Sequence, residues 1–220
     1  NTKYCLILNP DTYCSSNFFK RLSNILKKIK DFHLIGCAYL KDKKNLPAGY
    51  FNSKGNKNFK KILNSNKKDS LIKGFSMVLN MDKFKKKEVF DQNYFLYLEE
   101  IDLCKTIQKI NGNIYFANGL KVDHLGFKGS VGASIIDKQN ADNLRNWHYM
   151  WSSFYFYKKN YSYFFALKKM FGKFIRSLIK LIFFYLTFQS QKKTKYLYRF
   201  LGIFCSMIGL KAYYRVKKFY

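Results

Sequence analysis

A short apolar run, an amphipathic helix and a second apolar run follow one another before residue 40, and that order leaves few folds open. Tyr4 to Leu8 is apolar and stops at Asn9-Pro10-Asp11, which reads as a buried strand ending in a turn. Phe18, Phe19, Leu22, Ile25, Leu26 and Ile29 recur at spacings of three and four, which predicts a helix over Phe18–Ile29 with Ser15 or Ser16 as its cap. His33 to Tyr39 is a second apolar strand. A strand, helix, strand order predicts a parallel α/β unit. A chain of 220 residues is long enough for one domain with a core, or one domain with an appendage.

Further along, Lys41 to Ser70 is rich in Lys, Asn and Gly and reads as a surface excursion, with a short helix near Phe59–Leu63. Leu71 to Met81 reads as a strand interrupted by Gly74, and Phe84 to Phe90 as a connector. The pattern predicts a helix over Asp102–Ile110, ended by Asn111-Gly112-Asn113. Ile114–Ala117 and Lys121–His124 read as two short strands, and Gly126–Asp137 as a flexible loop. From Ala141 the texture changes. Asn146–Tyr163 is aromatic and helical, Tyr163–Phe188 is a basic amphipathic helix or pair of helices, and Tyr196–Tyr214 is another apolar segment. The expected division is therefore an α/β part over 1–140 and a helical, basic, membrane-associating region over 141–220. Spanning a bilayer takes about 20 consecutive apolar residues. Arg176 and Lys180 interrupt the best candidate, so the tail reads as interfacial.

The charge is extreme and uneven. The formal net charge is +28, all 13 acids lie at or before Asp142, and the last 78 residues carry 16 Lys or Arg and no acid. Such asymmetry implies a polyanionic partner: membrane phospholipid, nucleic acid or a phosphorylated substrate. Five scattered cysteines, none in a CxxC pair, argue against a zinc ribbon or a disulfide framework and fit a reducing cytoplasm. The chain begins Asn1-Thr2-Lys3 at the edge of an apolar strand, as a piece cut from a longer protein would.

Three motifs carry chemistry. Phe95-Leu96-Tyr97-Leu98 runs directly into Glu99-Glu100-Ile101-Asp102, three carboxylates in four positions. Desolvating an unpaired carboxylate costs several kcal/mol, so acids beside an apolar run are paired, metal-bound or catalytic. Asp102, at a helix start, is equally accounted for by the helix dipole. Asp11 lies just past the end of a strand, where open α/β sheets bind ligands, although Pro-Asp also simply makes a turn. His124, in Val122-Asp123-His124-Leu125-Gly126, ends a short strand before a Gly-rich loop.

Taken in order, Asn9-Pro10-Asp11, the Phe90–Asp102 stretch and Val122–Gly126 resemble the second half of a family-2 glycosyltransferase of the GT-A fold, of the rhamnosyltransferase-like kind. The resemblance covers roughly Tyr4 to Tyr161, and the family's N-terminal nucleotide-binding part has no counterpart here. It implies a fold class of α/β: a partial GT-A (Rossmann-like) mixed sheet with flanking helices, plus a C-terminal basic amphipathic helical region. It implies that Asp11 and His124 hold Mn²⁺ or Mg²⁺, and that Glu100, or alternatively Glu99, is the catalytic base. Gly74, Asp102, Lys128, Arg145 and Trp147 would contact substrate. The Arg145-Asn146-Trp147 helix and Lys158-Lys159-Asn160-Tyr161 would face a lipid diphosphate.

The expected function is an inverting, metal-dependent transfer of a sugar, rhamnose by resemblance. The donor would be a nucleotide diphosphate sugar and the acceptor a lipid-linked or cell-surface polysaccharide. The basic tail would hold the chain peripherally on the anionic inner face of the cell membrane, in the cytoplasm. Two other readings remain open: a non-catalytic basic module for membrane surfaces or nucleic acid, and an inactive remnant of a glycosyltransferase. Nucleic acid is the weaker partner, because no RRM, KH or zinc-finger pattern is present.

Overall fold

The computed structural model describes residues 2–39, 60–62, 72–84, 88–124 and 135–215. Six strands and five helices follow in the order β1 (Tyr4–Leu8), β2 (Thr12–Cys14), α1 (Phe18–Lys28), β3 (Leu34–Tyr39), β4 (Lys60–Ile62), β5 (Ser76–Asn80), α2 (Glu99–Lys109), β6 (Ile114–His124), α3 (Ile135–Asn160), α4 (Tyr163–Leu186) and α5 (Ser190–Met207). They form two compact units. The first is Asn1–Phe90 with Leu103–Gly129, and the second is Asp91–Asp102 with Ser130–Tyr220.

The first unit is a mixed sheet with helices. Its strand order is β1-β5-β3-β6-β2, with β4 also on β6. β1 and β3 run the same way, as the strand–helix–strand order requires, but β5 lies between them and antiparallel to both. β3 pairs with β6 in parallel. Both faces of the central strands are apolar, and side-chain alternation sorts them. Ile35, Cys37 and Val78 join Phe18, Leu22 and Ile25 of α1 in one core. Leu34, Ala38, Met77 and Leu79 join Leu103, Cys104 and Ile107 of α2 in another.

Several local expectations are corrected. Neither Ser15 nor Ser16 caps α1; its N-cap is Asn17, which makes no side-chain cap bond. Thr12–Cys14, for which the sequence carries no signal, is a short strand paired with the end of β6. Lys60–Ile62, expected as helix, is a strand paired with the start of β6; the rest of that excursion lies outside the described residues. Gly74 sits in a turn before β5 and does not interrupt a strand.

The two short strands expected after Gly112 are one, β6. Ala117 pairs with Cys37 and Lys121 with Ala38, so Asn118-Gly119-Leu120 bulges out of the ladder. Arg21 of α1 donates to the carbonyl of Gly119 at 3.1 Å, and Leu120 is fully buried.

The second unit is helical, and α3 begins at Ile135, inside the stretch expected as loop. Met150, Phe154, Ala166, Met170 and Ile203 form one core of α3, α4 and α5. Trp147, Trp151, Cys205 and Ala212 form a second. After α5 the chain lies back along α3: Trp151 Nε1 donates to the carbonyl of Leu210 at 2.9 Å, and His148 Nε2 meets the carbonyl of Tyr214 at 2.8 Å. Among the described residues no helix is long and apolar enough to cross a membrane.

α3 and α5 touch backbone to side-chain position at Gly202, where an added Cβ would lie 2.3 Å from the carbonyl oxygen of Trp147. A backbone atom cannot swing aside. Gly202→Ala should therefore cost about 2–3 kcal/mol or more as overpacking. Urea unfolding followed by circular dichroism checks this, and a variant as stable as the parent would show that the helices part freely here.

Candidate functional site

In the first unit, Asp11 and His124 are brought together from 113 positions apart. β6 ends on His124, whose register partner is Thr12 on β2, one residue after Asp11. The turn leading in is fixed by its own bonds: Asn9 N donates to the carbonyl of Phe75 at 2.9 Å, and Thr12 Oγ1 to the carbonyl of Asn9 at 2.5 Å. The Phe75 ring, next to Gly74, stacks on the His124 imidazole with centroids 5.2 Å apart. His124 Nε2 then lies 3.1 Å from Asp11 Oδ1, with both side chains about three-quarters buried. Asn9 Nδ2 is 3.5 Å from the same ring nitrogen.

A separation of 3.1 Å suits a hydrogen bond. It also suits two ligands of one ion, because adjacent donors about 2.1 Å from an octahedral metal lie roughly 3.0 Å apart. A carboxylate with an imidazole fits Mn²⁺ better than Mg²⁺, which prefers oxygen ligands throughout. Among the described residues no group of three or more His, Cys, Asp and Glu side chains gathers in a metal-ligating cluster. A cation at Asp11 and His124 would therefore need a ligand such as a diphosphate to complete it.

The acidic stretch belongs to the second unit. It is not a strand running into a helix. Residues 91–98 are turns and bends, and Tyr97 and Leu98 both take φ of +70°. Two successive non-glycine residues in the left-handed region cost on the order of 1–3 kcal/mol each and persist only where the surroundings impose them.

Those surroundings are α3 and the segment after α5. Ser152 Oγ donates to the carbonyl of Leu96 at 2.7 Å. The Tyr97 ring meets Tyr149 edge-on at 5.8 Å, and Phe95 lies between His148 and the Arg215 guanidinium, the latter 3.4 Å from its ring centroid. α2 starts directly after, with Glu99, Glu100 and Asp102 in its first turn.

Asp102 is not at the surface and not free for substrate. It is 2% exposed, and it accepts from Lys159 Nζ at 2.5 Å, Asn160 Nδ2 at 2.7 Å and Tyr94 Oη at 3.3 Å. Lys159 also reaches Asp91 at 2.7 Å, and Asp91 further accepts from Tyr155 and Asn93. Lys159, expected to face a lipid diphosphate, thus bridges two carboxylates.

Burial pushes the Asp91 carboxyl up, but the bonds from Lys159, Asn93 and Tyr155 outweigh it and hold the group below its ordinary range. Burial works to lower the Lys159 ammonium, and the two aspartates more than reverse that. Burial, with Asp91 beside it, raises the Tyr155 phenol to about 12. This network was missed in the sequence; its members sit up to 68 positions apart, and no local pattern joins them.

The remaining expected residues divide. Glu99 carries a buried oxygen, Oε2, with no hydrogen-bond partner among the described residues, while Glu100 is half-buried. Arg145 pairs with Asp142 on the surface of α3 at 2.9 Å. Trp147 is 1% exposed, its ring against Trp151, Tyr213 and Tyr214. It packs the helical core and is not placed to touch a substrate. Lys128 lies outside the described residues. No family model matches the chain, and no curated protein matches it.

Removing Lys159 would leave Asp102 buried and unpaired, so Lys159→Met should cost about 3–5 kcal/mol. The same tie makes stability pH-dependent. Asp91 stabilises above the ordinary carboxylate pKa of about 3.9, and its share is lost as pH falls through its lowered value. Lys159 stabilises below the ordinary ammonium pKa of about 10.4, and its share is lost as pH rises through its raised value. Urea midpoints measured across pH should fall at both ends for the parent. A Lys159→Met chain with an unchanged midpoint at neutral pH would show that the bridge holds nothing.

Proposed function

We propose that this chain is the acceptor-side part of a metal-dependent inverting glycosyltransferase with a GT-A-like sheet. The observation carrying the reading is the meeting of Asp11 and His124 at 3.1 Å, at the end of β6 and beside the β1–β2 turn. Those are the two residues that the resemblance assigns to the cation. In this reading the donor is a nucleotide diphosphate sugar, with rhamnose as the suggested sugar. The acceptor is a hydroxyl of a lipid-linked or cell-surface glycan. The chain works in the cytoplasm, peripherally on the inner face of the membrane.

The residues act as follows. Asp11 and His124 would hold Mn²⁺ or Mg²⁺ together with the donor's phosphates, and stacking on Phe75 keeps the imidazole in place. The bound cation supplies positive charge to the departing diphosphate. Glu100 takes the proton from the acceptor hydroxyl as its oxygen bonds to the anomeric carbon. The bond from that carbon to the diphosphate oxygen breaks, and its electron pair leaves with the nucleotide. Glu99 is the alternative base. Asp102 positions the first turn of α2 through Lys159 and Asn160.

The test is sugar transfer or hydrolysis over a panel of nucleotide sugars, with a lipid-linked acceptor, using the longest in-frame version of the chain. The expected result is turnover with one donor class, abolished by chelation and restored by Mn²⁺. Asp11→Asn and His124→Ala should weaken Mn²⁺ binding, read directly by calorimetry in the presence of a nucleoside diphosphate and without the sugar. Glu100→Gln should lower kcat by roughly 10²–10⁴-fold with Mn²⁺ binding unchanged. If Glu99→Gln does so instead, the base is Glu99. A folded chain that binds no Mn²⁺ and turns over no donor would refute the proposal.

A further inference from the structure

α4 is apolar on the wrong side. Ala166, Met170 and Ser177 mark the side it buries in the bundle, and the opposite pole of a surface helix is normally polar. Here that outer pole carries Phe164, Phe171, Ile179, Ile182 and Leu186, spaced by three, four, seven or eight residues, and each is more than half exposed. The cations of α4 are divided between the bundle and the stripe. Lys173 and Lys180 turn to Tyr149 and Tyr196 of the bundle, while Lys168, Lys169 and Arg176 are exposed beside or within the stripe.

The corner after α4 adds an independent sign. Three helices here end in the same arrangement, with an N–H bonded back five residues: Gly112 to Ile107, Gln189 to Phe184 and Leu210 to Cys205. Each requires a left-handed residue just before that N–H, where glycine or asparagine is favoured. α2 uses Asn111 and α5 uses Gly209, but α4 uses Phe188, at φ +54°. A bulky residue there is strained. Phe188 is also 92% exposed, so no core contact repays the strain.

We infer that the outer pole of α4, with Phe188 at its end, is a docking surface for an anionic phospholipid bilayer, on which α4 lies in the plane of the headgroups. The rings and aliphatic side chains enter the acyl boundary, and Lys168, Lys169, Arg176, Lys192 and Lys193 meet the phosphates. Charge chooses this occupant over a second copy of the chain. Residues 143–220 hold no acid, so two such faces would set cation against cation. The inference gives residues to the membrane placement in the proposed function, and it is tested without donor or acceptor, so either can fail alone.

The experiment is co-sedimentation of the whole chain with phosphatidylcholine/phosphatidylglycerol vesicles and with pure phosphatidylcholine. Binding is expected to the mixed vesicles and to fall with added salt. Phe188→Asn should weaken it about tenfold or more by removing one buried ring. The same change should leave Tm equal or higher, since asparagine suits the turn. Ile179→Ser should weaken binding with α-helix content unchanged. Equal binding to both vesicles, or binding indifferent to both substitutions, overturns the inference. So does a dimer in sedimentation velocity that Phe188→Asn dissolves while no vesicle binding is seen.

Discussion

One ammonium group organises the acidic turn. Lys159, near the end of α3, bridges Asp91 and Asp102, and those residues mark the two ends of the segment that belongs with the helices. The chain between them is held in an unfavourable backbone conformation at Tyr97 and Leu98. Bonds to Ser152 and ring contacts to Tyr149 and His148 hold the middle. A buried ion pair adds little net stability over an apolar substitute, but breaking it is costly. Its use here is geometric: it sets where α2 starts and which carboxylate of its first turn is tied to α3. Asp102 is consumed, while Glu99 keeps a buried oxygen without a partner among the described residues.

In the sheet unit the corresponding constraint is β6. One edge runs along β3, and the other is divided between β4 at its start and β2 at its end. A long strand flanked in this way fixes where its last residue lies, and that residue is His124. Asp11 comes within reach because β2 is only three residues long and follows a turn tied to Phe75. The ladder register thus brings the two side chains within 3.1 Å of each other.

Legibility in the sequence followed physical range. β1, α1, β3 and α4 were read nearly to their ends, because periodicity and turn residues are local signals. β4 was misread as helix because three residues carry no period, and β6 was split because its bulge contains Asn118-Gly119, a turn signature used inside a strand. Resemblance alone singles out Asp11 and His124, and their approach to 3.1 Å depends on the sheet. Trp147 and Asp102 were assigned to substrate because aromatic and acidic residues look alike in sequence whether they face a ligand or a core. The same holds for Lys159, which the resemblance turns toward a lipid diphosphate and the fold turns toward two carboxylates. Its partners are separated from it by 57 and 68 positions, a distance no local rule spans.

The two tryptophans of the chain, Trp147 and Trp151, are neighbours on one turn of α3, and both are buried. Their rings stack on each other, Trp151 stacks on Tyr155 of the same helix, and Trp147 meets Tyr213 and Tyr214 from the segment after α5 at steeper angles. Indole emission from this protein is consequently a private signal of the helical unit. The sheet unit, with the Asp11–His124 pair, is spectroscopically dark in that channel. A ligand that orders the sheet could leave the fluorescence untouched, and a loosening around α3 could shift it while the sheet stays whole.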